Sequence, residues 1–267
     1  MTGRSASPRL LTIPISHYGE RARWALDHAE IDYQEEHHLQ IFSWGFALAN
    51  GGRHTMPLLV LEDRVLDDSA LIVSWAAAQA RVPLYPADAA ERQEIERFEA
   101  DLSGAYAVDG RLLVYDWFFQ TFEALMPYNA GRAPALEEHA LRTLGGAAMA
   151  IGRRRLGVTP AAVERSMGTV NRTLDAIAAR LRDGRRYLFG DSFTAADLAF
   201  AAFSAPSLVP LRYPVTLPQP EIIPEAAAAR IRAWREHPAG RFALRLYEER
   251  PAPRGRYLRP LRVAPRR

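Results

Sequence analysis

The stretch that most narrows what this chain can fold into is residues 10–26, L-L-T-I-P-I-S-H-Y-G-E-R-A-R-W-A-L. Residues 10–15 form an apolar run suited to a buried strand, and the apolar positions Ala22, Ala25, Leu26 and Ala29 recur at helical spacing. Between them, residues 16–19 make a tight polar turn. A strand that feeds a helix in this way gathers the hydroxyls of Ser16 and Tyr18, with the first helical amides, at the strand's carboxyl end. Ligands bind there in α/β proteins, and the helix dipole favours an anion.

Residues 31–39 alternate weakly and predict a second strand, in which Glu35, Glu36, His37 and His38 form a polar cluster. Neighbouring histidines on a strand point to opposite faces, so a solvated edge strand is expected there rather than a shared metal. Residues 41–54 carry Trp44 and Phe46 and close on Asn50-Gly51-Gly52, a turn signal; their pattern does not fix a conformation. Met56-Pro57-Leu58-Leu59-Val60-Leu61 then predicts a strand, with Glu62-Asp63-Arg64 as a turn and Val65-Leu66 as the return of a hairpin. A proline is tolerated at the head of a strand because the missing amide need not pair there. Ser69 stands at the N-cap position of an alanine-rich helix over residues 70–80.

Residues 81–88, with two prolines and no period, predict a linker. Beyond it the periodic segments are helical, near residues 89–106, 111–125, 136–155 and 159–182. Thr194 and Asp197 form a capping box at the head of a helix that is apolar all round, which predicts a structural role at the centre of a helical domain. Residues 206–224, with six prolines, predict an irregular excursion, and 225–236 and 238–249 two last helices. The chain of 267 residues thus reads as an α/β domain over residues 9–82, an all-α domain over 89–250 and an Arg- and Pro-rich tail over 251–267. That tail is expected to lie solvated on the surface.

Composition removes several classes of function. All 34 basic residues are arginine and the formal charge is only +3, so charge alone gives no case for nucleic acid. The absence of cysteine excludes disulfides, thiolate metal sites and CxxC redox centres. No stretch of about 18 uncharged apolar residues suggests a membrane span, and the polar N-terminus is too short for a signal peptide, so a soluble cytoplasmic protein with no metal is expected. Abundant Ala and Arg with no Lys suggest a GC-rich bacterial genome.

Five motifs in order resemble the cytosolic glutathione transferase family: S-H-Y-G-E-R-A-R-W-A-L from Ser16, M-P-L-L-V from Met56, D-D-S-A from Asp67, G-D-S-F-T-A-A-D-L from Gly190, and H-P-A-G-R-F-A-L-R-L-Y-E-E from His237. The resemblance spans about residues 9–250 and implies a thioredoxin-like domain followed by an all-helical one. It also implies that Ser16, or as second choice Tyr18, hydrogen-bonds the sulfur of glutathione. Met56 and a cis Pro57 would then hold the cysteinyl part of glutathione, and Asp68 and Ser69 the γ-glutamyl end. His17 stands where many members have proline, and the residues before Pro57 lack the usual Lys or Gln followed by Val, leaving Arg53, His54 or Thr55 as substitutes.

The function implied is a glutathione-dependent transferase, usually a homodimer in this family. Its thiolate attacks a small, apolar electrophile, with isomerisation or dehalogenation as variants, in the service of detoxification. The alternative is a non-catalytic ligand-binding or protein-interaction module on the same fold. Tyr106, Arg111, Tyr115 and Trp117 lie on the helices that would line a second-substrate pocket, but aromatics at helical spacing are more often core.

Overall fold

The computed structural model describes residues 7–53, 55–121, 128 and 133–258. They group into two compact units, one of residues 1–81, 129–148 and 251–267, the other of 82–128 and 149–250.

The first unit is a thioredoxin-like layer of helices on a mixed sheet ordered β4-β3-β1-β2-β5. The run around Leu10 and Leu11 becomes β1 (Arg9–Thr12), with both leucines fully buried, as a strand covered on both faces requires. It pairs in parallel with β2 (Tyr33–His37) and antiparallel with β3 (Leu58–Val60), which forms the expected hairpin with β4 (Val65–Leu66). Helix α1 (His17–His28) joins β1 to β2, and α3 (Ser69–Ala77) packs against it. The stretch whose conformation the pattern left open is a helix, α2 (Gln40–Ala49).

Two expectations change here. The second strand is not an edge: β5 (Gly255–Tyr257), from the supposed solvated tail, pairs in parallel with β2 on its outer side. His37 and His38 are both buried, His37 against the Tyr257 ring of β5 and His38 against Phe46. Glycine permits the approach, since a Cβ on Gly255 would sit 2.7 Å from the Tyr33 ring. The cap of α3 is also shifted by one residue. Asp68, not Ser69, accepts the Ala70 amide at 2.7 Å, and Ser69 opens the helix.

The second unit is all-helical. Helix α4 (Ala89–Asp101) runs through a π-turn (Leu102–Tyr106) into α5 (Ala107–Phe118), so the break expected before residue 111 is absent. Gly110 does not break the helix, although glycine costs a helix interior about 1 kcal/mol. The helix closes at Phe118, with Phe119 as its C-cap, short of the expected end at residue 125, which lies outside the described residues. Helix α6 (Ala135–Arg155) begins in the first unit, and α7 (Pro160–Arg180) starts at Thr159, whose side chain accepts the Ala162 amide.

At the centre lies α8 (Ala195–Leu208), in which only Pro206 escapes burial, headed by the Thr194–Asp197 capping box. It carries Pro206 in its last turn, so the irregular excursion begins after residue 208 rather than at 206. Helices α9 (Glu225–Glu236) and α10 (Pro238–Glu248) follow. Tyr106 and Trp117 are core: the Tyr106 hydroxyl meets Ser204 Oγ at 2.9 Å, and Trp117 packs with Val209, Ile223 and Ile231. No helix among the described residues is long and apolar enough to cross a membrane.

Candidate functional site

The entry to α1 is built by a turn in which the Ser16 amide donates to the Ile13 carbonyl at 3.0 Å, with Pro14 in the position where its fixed φ suits a turn. Ser16 is the N-cap. Its Oγ accepts the Gly19 amide at 3.1 Å and its carbonyl accepts the Glu20 amide at 2.8 Å. A hydroxyl that accepts in this way is also an O–H donor. The first turn of α1 presses onto the last residue of β1, because a Cβ on Gly19 would lie 2.2 Å from Thr12 Oγ1. Ser16 and Tyr18 are half-buried, whereas His17 is buried with its ring 4.5 Å from that of Tyr18.

The head of β3 comes to the same end of the sheet. Leu58 pairs with Leu11, so the ladder extended one step sets Pro57 level with Thr12. The Met56–Pro57 bond is cis, and Met56 packs partly buried against the cluster of Leu11, Ala47 and Leu58.

Helix α3 supplies the third wall. Asp68 is exposed and engaged in capping, while Ser69 is buried and its hydroxyl accepts from Arg21 Nη1 at 3.4 Å. Arg21 went unnoticed in the sequence: a charged residue inside a helical segment looks like a solvated one, yet it is 2% exposed. Of the candidates before Pro57, Arg53 donates to Asp67 through its Nε and Nη2, at 2.6 and 3.3 Å, and this hydrogen bonding holds the Asp67 carboxyl below its ordinary pKa. Thr55 is exposed, and His54 lies outside the described residues.

Two helix N-termini and the Arg21 guanidinium therefore belong to one side of the unit, an arrangement suited to an anionic ligand with a polar backbone. No group of three or more His, Cys, Asp or Glu among the described residues is arranged to hold a metal.

Residues 10–83 match the family model for the glutathione S-transferase N-terminal domain, and residues 160–237 match that for the C-terminal domain. Among solved structures, the chain is similar to a glutathione S-transferase from Xanthobacter autotrophicus, with 15% identity over 90% of this chain and 92% of that one and a TM-score of 0.58. It is also similar to the theta-class glutathione S-transferase of Xanthomonas axonopodis pv. citri with glutathione bound (19% identity, 89% and 97% covered, TM-score 0.53). A third is the glutathione S-transferase of Methylobacterium radiotolerans in complex with glutathione sulfonate (18% identity, 90% and 95% covered, TM-score 0.53). No curated protein sequence matches significantly.

Proposed function

The chain belongs to the glutathione S-transferase family, and from that premise we propose that its first unit binds glutathione and activates the thiol for attack on a small, apolar electrophile. The observation that carries the reading is the Ser16 hydroxyl at the N-cap of α1, at the carboxyl end of β1. A thiolate opposite that hydroxyl gains a charge-assisted hydrogen bond and the positive end of the helix dipole, both of which lower the thiol pKa. The backbone at Met56 and Pro57 receives the cysteinyl part. The α3 entry, with Asp68 and Ser69, receives the γ-glutamyl end, and Arg21 adds positive charge beside Ser69. Tyr18 is the second choice as donor. Support comes from the glutathione and glutathione sulfonate bound in two of the similar structures. In this reading the protein works in the cytoplasm as a homodimer without a metal.

Calorimetric titration of reduced glutathione, with the ultraviolet thiolate band followed against pH, tests it. The wild type is expected to bind and to ionise the thiol near neutral pH. Ser16→Ala raises the bound thiol pKa by about 1–2 units, the worth of one charge-assisted hydrogen bond. If Tyr18→Phe produces that rise instead, the phenol is the donor. No binding at millimolar ligand would favour the non-catalytic module.

A further inference from the structure

A buried guanidinium beneath the entry to α1 has no part in ligand contact as described above. Arg23 is 1% exposed. Its Nε donates to Glu35 Oε1 at 2.7 Å, and its Nη2 reaches the Ile13 carbonyl at 3.4 Å. That carbonyl is the one that accepts the Ser16 amide and closes the turn. Pro14 constrains φ in this turn but brings no donor, so hydrogen bonds to the Ile13 carbonyl decide how the turn is held against α1.

The guanidinium is itself held from behind. His37 Nε2 lies 3.0 Å from the same Glu35 oxygen, and the His37 ring stands 4.8 Å from that of Tyr257 on β5. The backbone follows the same route, with Leu258 donating to the Glu35 carbonyl at 2.8 Å. Contacts thus run without a gap from β5 through His37, Glu35 and Arg23 to the turn ahead of Ser16.

We propose that Arg23 is a positioning residue for Ser16: its guanidinium, oriented by Glu35 and His37 and backed by Tyr257, fixes the turn at residues 13–16 and so the direction in which the Ser16 hydroxyl donates. The chemistry calls for arginine. Its planar fork serves Glu35 and Ile13 together in one fixed geometry, whereas a lysine ammonium is a single point that cannot span both. The catalytic consequence rests on the glutathione reading; the structural claim does not. A buried ion pair that only stabilised the unit would change its global stability and leave the turn no looser than its surroundings.

Hydrogen exchange separates the two. The amides of Gly19 and Glu20 donate to Ser16 Oγ and to its carbonyl, and so report the turn directly. Arg23→Lys is expected to speed their exchange about tenfold relative to wild type, and Tyr257→Ala by a smaller factor, with α3 amides unchanged. Tyr257 is half-exposed, so its truncation leaves the unit folded and decides the matter should the lysine variant fail to fold. Unchanged Gly19 and Glu20 rates, or an equal acceleration in α3, overturn the proposal. Where the wild type binds glutathione, Arg23→Lys also raises the bound thiol pKa while changing Kd less than twofold. If it binds none, the functional reading falls and the exchange rates alone decide this one.

Discussion

At the scale of the residue, Asp197 shows what one carboxylate can hold. It is fully buried, yet its two oxygens accept the amides of Leu188 and Thr194 at 2.8 and 2.9 Å. Burial raises its pKa against the pull of those hydrogen bonds. Asp197→Ala breaks the capping box of the central helix and strands two amides, so a loss of about 2–4 kcal/mol is expected in the denaturant unfolding of the second unit. Asp197→Asn keeps one acceptor oxygen and is expected to lose less; an equal loss would mean that packing, not hydrogen bonding, sets the cost. The Thr194 half of this arrangement was legible in the sequence because a capping box is local, confined to residues 194–197. The Leu188 half was not, since a loop alone brings that amide back. Asp68 and Ser69 show the converse limit: both are good caps, and only the backbone decides between them.

At the scale of the element, β2 was misread for a reason that pattern cannot repair. Glu35, Glu36, His37 and His38 look solvated, but groups from distant chain help to bury and pair them. His38 Nδ1 meets Glu137 Oε1 at 2.7 Å across 99 residues, its Nε2 meets Glu36 at 3.1 Å, and its ring stacks on Phe46 at 3.6 Å. Glu137 also accepts the Leu39 amide at 2.8 Å, and Arg9 pairs with Glu36 at 3.1 Å. Burial opposes the charged imidazolium, but the hydrogen bonds to Glu137 and Glu36 outweigh it and the His38 pKa is raised. The sign follows by linkage. The folded state binds the proton more tightly than the unfolded one, so this stability is fully present below about pH 6.5 and is lost as pH rises through the raised folded pKa. Unfolding midpoints of the first unit should therefore fall with rising pH from about pH 6.5. In His38→Gln that decline should flatten; if it persists unchanged, another group is responsible.

At the scale of the whole molecule, chain order and spatial order part company. Five motifs in sequence made the family and the two kinds of architecture legible, because each is a local device: a strand-to-helix turn, a strand head, a helix entry. The closing of the sheet was not legible, because a three-residue strand in an Arg- and Pro-rich segment has no periodicity to detect. Yet that segment is firmly tied. The Arg254 amide donates to the buried Asp27 carboxylate at 2.7 Å, and its guanidinium lies 3.6 and 3.7 Å from Glu30 and Asp32. The latter pairs are exposed and worth little, so the weight falls on the β2–β5 ladder, the Asp27 bond and the cover given to Glu35 and His37. Removing residues 251–267 opens the β2 edge and admits water to buried charges. It is expected to cost the first unit about 2–4 kcal/mol, at roughly 1 kcal/mol for each hydrogen bond lost. Exchange at β1 and β2 amides should accelerate, while α8 in the second unit keeps its protection. Equal acceleration in α8 would show that the two units unfold together, and no acceleration at β2 would show that the fifth strand is only laid on the sheet and contributes nothing to it.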